Sequence, residues 1–521
     1  MQVNEIDVAV KHIEKITARS WNVQFSKLID SWVLSLPDRA IAAHPNLAIY
    51  RARIALRSSI PEDAFKFIAL SEHQVTGSDE IIGDKKELQG RIALLKSSAL
   101  LLQGSVFESL ALSKQALALF EEHSVVFRCI AASTIGAAHI WLGKGELNEA
   151  IGTFDLGIVP ARRTQHIYFE SICAFQKSIA LKFLGNLNEA KDIHDNLLSL
   201  LDPHKSSYPG IYGNIQCELA DIIHEKGEDQ TVLTLVEEGL EITELSLEPL
   251  KIWWSTWCAA RIHFYLKNVD AVFVLLDTLD RISSSSAIPF WFTSMSNSLR
   301  IRLCLTQNRI ADAEKVVNKS GLSEHSSLTH ANEMELMAYC RYLLYKHCFD
   351  PCKRLLQRIL SLGNETGRKN TVLEALLLAS VLLVKKNMKQ EALQPLKRAI
   401  NIGYTKGYVR MFKEEPALAQ SIRTLTSNEK DIQLRIYLES ITPEQRCSSN
   451  SLQNTRVSDL TEREVEMLQM VAHGYSNFEL ADKMYVSINT VKTHLKKINL
   501  KLETSSRTQA VAEARLLGII E

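Results

Sequence analysis

Long apolar runs are missing from this 521-residue chain. None approaches the ~18 residues that carry a helix across a bilayer, so a membrane-spanning role is not expected. Residues 1–20 place Asp7 and Glu14 among alternating charges, without the basic start and apolar core of a signal peptide. A cytoplasmic location is therefore expected. An excess of either charge is also lacking, with 60 Lys+Arg against 60 Asp+Glu. Residues 459–521 are just as balanced, at eight basic against nine acidic. Any attraction to nucleic acid must then come from a local cluster, because no broad basic field exists to supply it. Strand signals are nearly absent before residue 425. Strings that mark common catalysts, G-x-S-x-G, H-E-x-x-H and the dinucleotide-binding glycine pattern, do not occur. An enzyme, a resident cofactor and a catalytic or metal site are not expected.

Nine cysteines are present, an odd number scattered through apolar stretches, which fits reduced, buried small side chains. One cluster, Cys340, His347, Cys348 and Cys352, lacks a second ligand pair. Pro351 is expected to interrupt the helix between Cys348 and Cys352, so the cluster reads as packing.

What the chain does have is a period. Strings such as WLGKGELNEAIGTF (141–154), FLGNLNEAKDIHDNLL (183–198) and LVKKNMKQEALQPL (383–396) each end a helix near Gly or Asn. A polar turn follows, and a small residue opens the next helix. Aligned on that residue, Leu110, Ala150, Ala190, Val232, Ala271, Ala313, Cys352 and Ala392 recur at 40, 40, 42, 39, 42, 39 and 40 residues, with Ala64 marking an earlier unit. A period near forty with two helices per unit predicts a tetratricopeptide-like α-solenoid, stable only as a stack. Its concave wall is expected from the first helix of each pair. Aromatic residues gather there: Tyr168, Tyr212, Trp254, Trp257 and Trp291, with Trp253 sharing a face with Trp257. Such rings can stack on a small-molecule inducer or cap a partner's side chains; equally, they can fill gaps between helices.

The last sixty residues change character. Thr461 with Glu464, Ser476 with Glu479 and Ser506 with Gln509 have capping-box spacing, Ser487 can cap a third helix, and Gly474 can close the first. Four short helices in this order form a helix-turn-helix arrangement. On the third, Val491, Leu495, Ile498 and Leu502 make one apolar stripe. Opposite lie Asn489, Lys492, Thr493, Lys496 and Asn499, a face suited to base edges in the major groove. Thr490 lies beside it, and Lys497, Lys501 and Arg507 flank it as candidate phosphate contacts.

This segment resembles the LuxR-type (GerE-like) DNA-binding domain: LTEREVEMLQMVAHGYSNFELADKMYVSINTVKTHLKKINLKLETSSRTQAV (460–511) carries nearly the whole family pattern. Leu480 stands where Ile is usual, and Tyr485-Val486 where the family varies. The resemblance implies double-stranded DNA as partner. It also implies base contacts from Lys492, Thr493 and Lys496, and pairing of two subunits through the last helix (507–518) into a homodimer. Upstream, DSWVLSLPDRAIAAHPNLAIYRARIAL (30–56) and GYVRMFKEEPALAQSI (407–422) resemble the opening and closing segments of the repeat region in MalT-like regulators. Those regulators usually begin with a nucleotide-hydrolysing domain. No G-x-x-x-x-G-K-[ST] occurs here, and GNETGRKN (363–370) has the wrong glycine spacing, so ATP-driven assembly is not carried over.

The expected organisation is a tetratricopeptide-like sensor or interaction domain at 1–425, a terminal helix and flexible linker at 426–458, and a LuxR-type domain at 459–521. The expected function is sequence-specific transcriptional regulation, with RNA polymerase as a further partner if the protein activates. The alternative is a scaffold whose superhelix binds a regulatory protein and no small ligand.

Overall fold

The structure is a computed structural model that describes residues 2–19, 21, 26–77, 84–141, 146–228 and 231–443. In the last domain it describes 462–472, 475, 479–480, 483–484, 491, 494–495, 498–499, 501–502, 504 and 507–516. Among these residues every regular element is helical. The chain divides into two compact units, 1–443 and 444–521.

The first unit is a stack of helical hairpins, as the period predicts. A typical repeat pairs Ile167–Phe183 with Leu187–Leu201 through a turn in which Gly185 takes φ +83°. The same left-handed residue recurs as Gly104, Gly227, Lys267, Asn308, His347 and Asn387. Glycine and asparagine adopt that conformation most cheaply, which is why these turns show in the sequence. Lys267 and His347 fill the same place and do not. His347 is thus a turn residue, and Cys352 is packed with its thiol 3.5 Å from the Cys340 carbonyl. Pro351 does not break a helix here; it sits in the first turn of Phe349–Thr366, where its missing N–H costs nothing.

Five residues past each left-handed turn residue, the second helix presents a small side chain to the first. Ala150, Ala190, Ala313, Cys352 and Ala392 are fully buried there. Two aligned positions slip by one: Leu110 and Ala271 are half-buried, while Ser109 and Val272 take the buried place. The contact is tightest between Pro209–Glu225 and Val232–Glu244, where a Cβ on Gly213 would lie 2.3 Å from the Gly239 carbonyl oxygen.

The stack curls until distant repeats touch, so its interior is packed. Trp141 stacks on Trp291 at 5.5 Å between centroids. Arg368 is completely buried, donates to the Ile140 carbonyl and pairs with Glu333 at 2.9 Å. Its guanidinium lies 4.4 Å from the centre of the Phe183 ring. After Lys389–Lys406 the chain turns at Gly407, and residues 408–418 run back into this interior with Tyr408, Phe412 and Leu418 buried. Helices Ala419–Asn428 and Ile432–Ile441 complete the unit, and the Tyr437 hydroxyl donates to the Tyr408 carbonyl at 2.6 Å. The terminal helix expected after residue 425 therefore belongs to the first unit. Of the linker expected at 443–458, residues 444–458 lie outside the described residues.

Replacing Arg368 by Met should cost about 3–5 kcal/mol in urea unfolding, because Glu333 keeps a buried carboxylate with one partner fewer. Adding Glu333→Gln should restore more than half of that loss. A single variant as stable as the parent would show that the pair is not what holds distant repeats together.

Candidate DNA-binding surface and superhelix cavities

In the second unit, helices Glu462–Ala472 and Arg507–Leu516 pack around Met467, Leu468, Val471, Leu480, Met484, Ala510 and Ala514. The apolar stripe of the third helix joins this core: Val491 and Ile498 are fully buried, Leu502 nearly so and Leu495 partly. Asn489, Thr490, Lys492, Thr493, Lys496 and Lys497 lie outside the described residues, as do the Arg507 side chain and the capping residues Thr461, Ser476, Ser487 and Ser506. Lys501 is described, and its ammonium lies 2.6 Å from the carboxylate of Glu464, which is 4% exposed. This residue, read as a phosphate contact, thus also anchors the third helix to the first. The sequence hid this because the two are 37 positions apart.

The five candidate aromatic residues do not converge on one site. Tyr168 lines a cavity of about 720 Å³ with Trp21, Arg91, Phe127, Phe169 and Tyr208, a volume ordinary for a small-molecule site. Its hydroxyl accepts from Lys251 at 3.0 Å, and Arg91 sits 4.2 Å above the Phe127 ring. Trp254 and Trp257 border a second, smaller void of about 90 Å³ between the first helices. Tyr212 donates to Asp202 at 3.3 Å, and Trp291, 2% exposed, stacks in the core.

Around the smaller void lies a charged network that sequence reading missed. Lys182 bridges Glu218 and Asp221, Arg261 donates to Asp221 at 2.7 Å, and Arg302 pairs with Glu414. Arg341 pairs with Glu415 and, at 3.0 Å, with Glu374. The Trp254 indole donates to Glu218 at 2.9 Å. Lys182, Asp221, Arg261, Arg302 and Arg341 are 39, 40, 41 and 39 residues apart, one per repeat in register. A charge recurring at the repeat period on an apolar helix was the available signal. Burial opposes the charge on Lys182, but Glu218 and Asp221 outweigh it and hold the ammonium above its ordinary range. Burial also pushes Glu225 up to about 7; Glu414 and Asp221 add to this and Arg261 opposes it.

Residues 90–425 match the MalT-like TPR region. The chain belongs to the MalT-like family. Residues 458–514 match the bacterial regulatory proteins of the luxR family. The HTH-type transcriptional regulator MalT of Vibrio campbellii is 19% identical over 99% of this chain and 59% of its own length. Its namesake from Serratia proteamaculans is 22% identical over 94% of this chain and 56% of its own, and that from Yersinia pestis is 21% identical over the same shares. This MalT-like chain thus spans little more than half the length of those relatives.

Because the folded chain keeps a proton on Glu225 that the unfolded chain releases above about 4.5, this group's stabilisation is complete below about 4.5 and is lost as pH rises through about 7. Glu225→Gln should remove that slope, so the melting temperature of the parent should fall relative to the variant between about pH 5 and 8. Parallel melting curves would refute the assignment. Lys501→Ala should destabilise the second unit by about 1 kcal/mol, lowering its melting temperature as well as its DNA affinity; an affinity loss at unchanged melting would return Lys501 to phosphate binding alone.

Proposed function

We propose that this MalT-like chain is a sequence-specific DNA-binding transcriptional regulator whose superhelix receives a signal and controls the LuxR-type domain. The observation that carries it is the luxR-family match over 458–514, together with a third-helix stripe buried at Val491, Ile498 and Leu502. On this reading Lys492, Thr493 and Lys496 serve as base contacts, Asn489 and Thr490 adjoin them, and Lys497 and Arg507 take phosphates. Two copies paired through the last helix would read a two-fold site. Because the domain is close to neutral, non-specific attraction is weak and placement of these few side chains carries the affinity.

The signal is a small molecule in the cavity that Tyr168 lines, or at the void beside Trp254 and Trp257. A protein partner is the second reading, and it draws on Leu245 and Leu247, 65% and 78% exposed at a turn between repeats. No catalytic step belongs to either reading.

Operator fragments selected from genomic DNA by the full chain provide the test. Lys492→Ala and Lys496→Ala should each weaken specific binding by about 1–3 kcal/mol and relax preference at one position. Gel shifts in which both variants bind like the parent would remove the DNA-reading assignment. Melting in the presence of cell-extract fractions then separates a small ligand, which passes a dialysis membrane, from a protein, which does not.

A further inference from the structure

Residues 408–415 fill the superhelix interior in a manner unlike the repeats. They are held by polar contacts to first helices 74 to 226 positions earlier. The Tyr408 hydroxyl donates to the Lys182 carbonyl at 3.1 Å, and the Val409 amide donates to the Glu225 carbonyl at 3.1 Å. The Met411 amide faces the Glu225 carboxylate. Val409 packs on the Gly227 turn so closely that a Cβ added at Gly227 would lie 3.3 Å from the Val409 Cβ. At the far end, Glu414 and Glu415 present carboxylates to Arg302 and Arg341, neighbours in the charged column.

The fit at that end is incomplete. Buried Glu414 Oε1 and Arg341 Nε have no hydrogen-bond partner, although a guanidinium can engage a carboxylate or phosphate through two parallel bonds. The docked segment also sets Glu414 near the carboxylates of buried Glu225 and half-buried Glu374. Burying like charges together is unfavourable, so docking is opposed as well as favoured. Beside these groups remains the void of about 90 Å³, bordered by Trp254, Trp257, Met295, Met337 and Met411.

We propose that residues 408–415 act as an internal competitor for an anion site: a small ligand bearing two or more carboxylate or phosphate groups takes Arg302 and Arg341, displaces Glu414 and Glu415, and lifts the segment from the superhelix interior. This rests on the reading of the superhelix as the signal-receiving part. Such a ligand shifts the balance by its affinity for the arginines once they are vacated. The displaced stretch leads directly into Ala419–Asn428 and Ile432–Ile441, the last described helices before the LuxR-type domain.

The full chain is titrated with citrate, pyrophosphate and fructose 1,6-bisphosphate, with glucose as the neutral control, while trypsin cleavage after Arg410 and Lys413 is followed. At least one polyanion should speed that cleavage tenfold or more, and glucose should not. Glu414→Gln with Glu415→Gln removes the competitor and should tighten binding of the same anion at least fivefold. A reversible lock, Gly227→Cys with Val409→Cys, uses the 3.3 Å separation, close to that of a disulfide, in a chain carrying Cys348→Ser and Cys447→Ser. Oxidised, it should bind the anion at least tenfold more weakly than after reduction, and this arm stands even if the Gln variant unfolds. Equal binding by the oxidised and reduced lock, or no binding of any of the three anions by parent and Gln variant alike, overturns the proposal. If an extract fraction stabilises the full chain while Arg410 and Lys413 stay protected, the anion site falls and the signal-receiving role of the superhelix survives.

Discussion

A completely buried guanidinium, Arg368, stands where separate turns of the superhelix meet. It joins the carbonyl of Ile140 to the carboxylate of Glu333 and lies over Phe183, so two stretches far apart in sequence, around 140–183 and 333–368, share one ion. A buried charge is tolerated only when its partners are in place, which makes this contact all-or-none and sets how tightly the stack can curl. The stacked indoles of Trp141 and Trp291 close the same gap with apolar surface. Repeat arrays ordinarily hold together through neighbours alone. This one adds contacts across its axis, and the positions of both cavities follow from that closure.

The charged column beside the smaller void obeys the same geometry. Each first helix turns the same register position inward, so Lys182, Asp221, Arg261, Arg302 and Arg341 line up although no two share a helix. Four of the five are cationic and only Asp221 is acidic, so the column is balanced by Glu218 and Glu374 and by Glu414 and Glu415, which arrive from the chain's return at 408–415. Within it burial lifts Glu225 toward neutrality while salt links surround it. The LuxR-type unit works by different means. Its net charge is close to zero, and the Lys501–Glu464 pair ties its third helix to its first.

Much of this was legible in the sequence because it is written locally. Small residues at a forty-residue period, Gly and Asn in the left-handed turns, and the apolar stripe Val491, Ile498 and Leu502 each follow from the conformation of a few consecutive residues. Where a local rule is permissive the reading slipped. Leu110 and Ala271 were placed one residue from the true contact because neighbours of similar character flank it, and Pro351 was read as a helix breaker although a first turn accepts it. The aromatic residues show the limit clearly. Five rings on first helices looked like one groove, yet Trp291 is core, Tyr168 borders one cavity, and Trp254 and Trp257 border another.

By itself, then, the sequence determined that the chain is helical, that it repeats, and that its last domain carries the luxR-family helix-turn-helix pattern, since hydrophobic period and capping act within one or two turns of chain. Only the tertiary structure decided that the interior is filled, that Arg368 reaches Ile140, and that Glu414 and Glu415 meet Arg302 and Arg341. Those pairings join residues from 74 to 228 positions apart, and the superhelical curl that brings them together is the sum of small rotations at every repeat. No local pattern encodes such a sum.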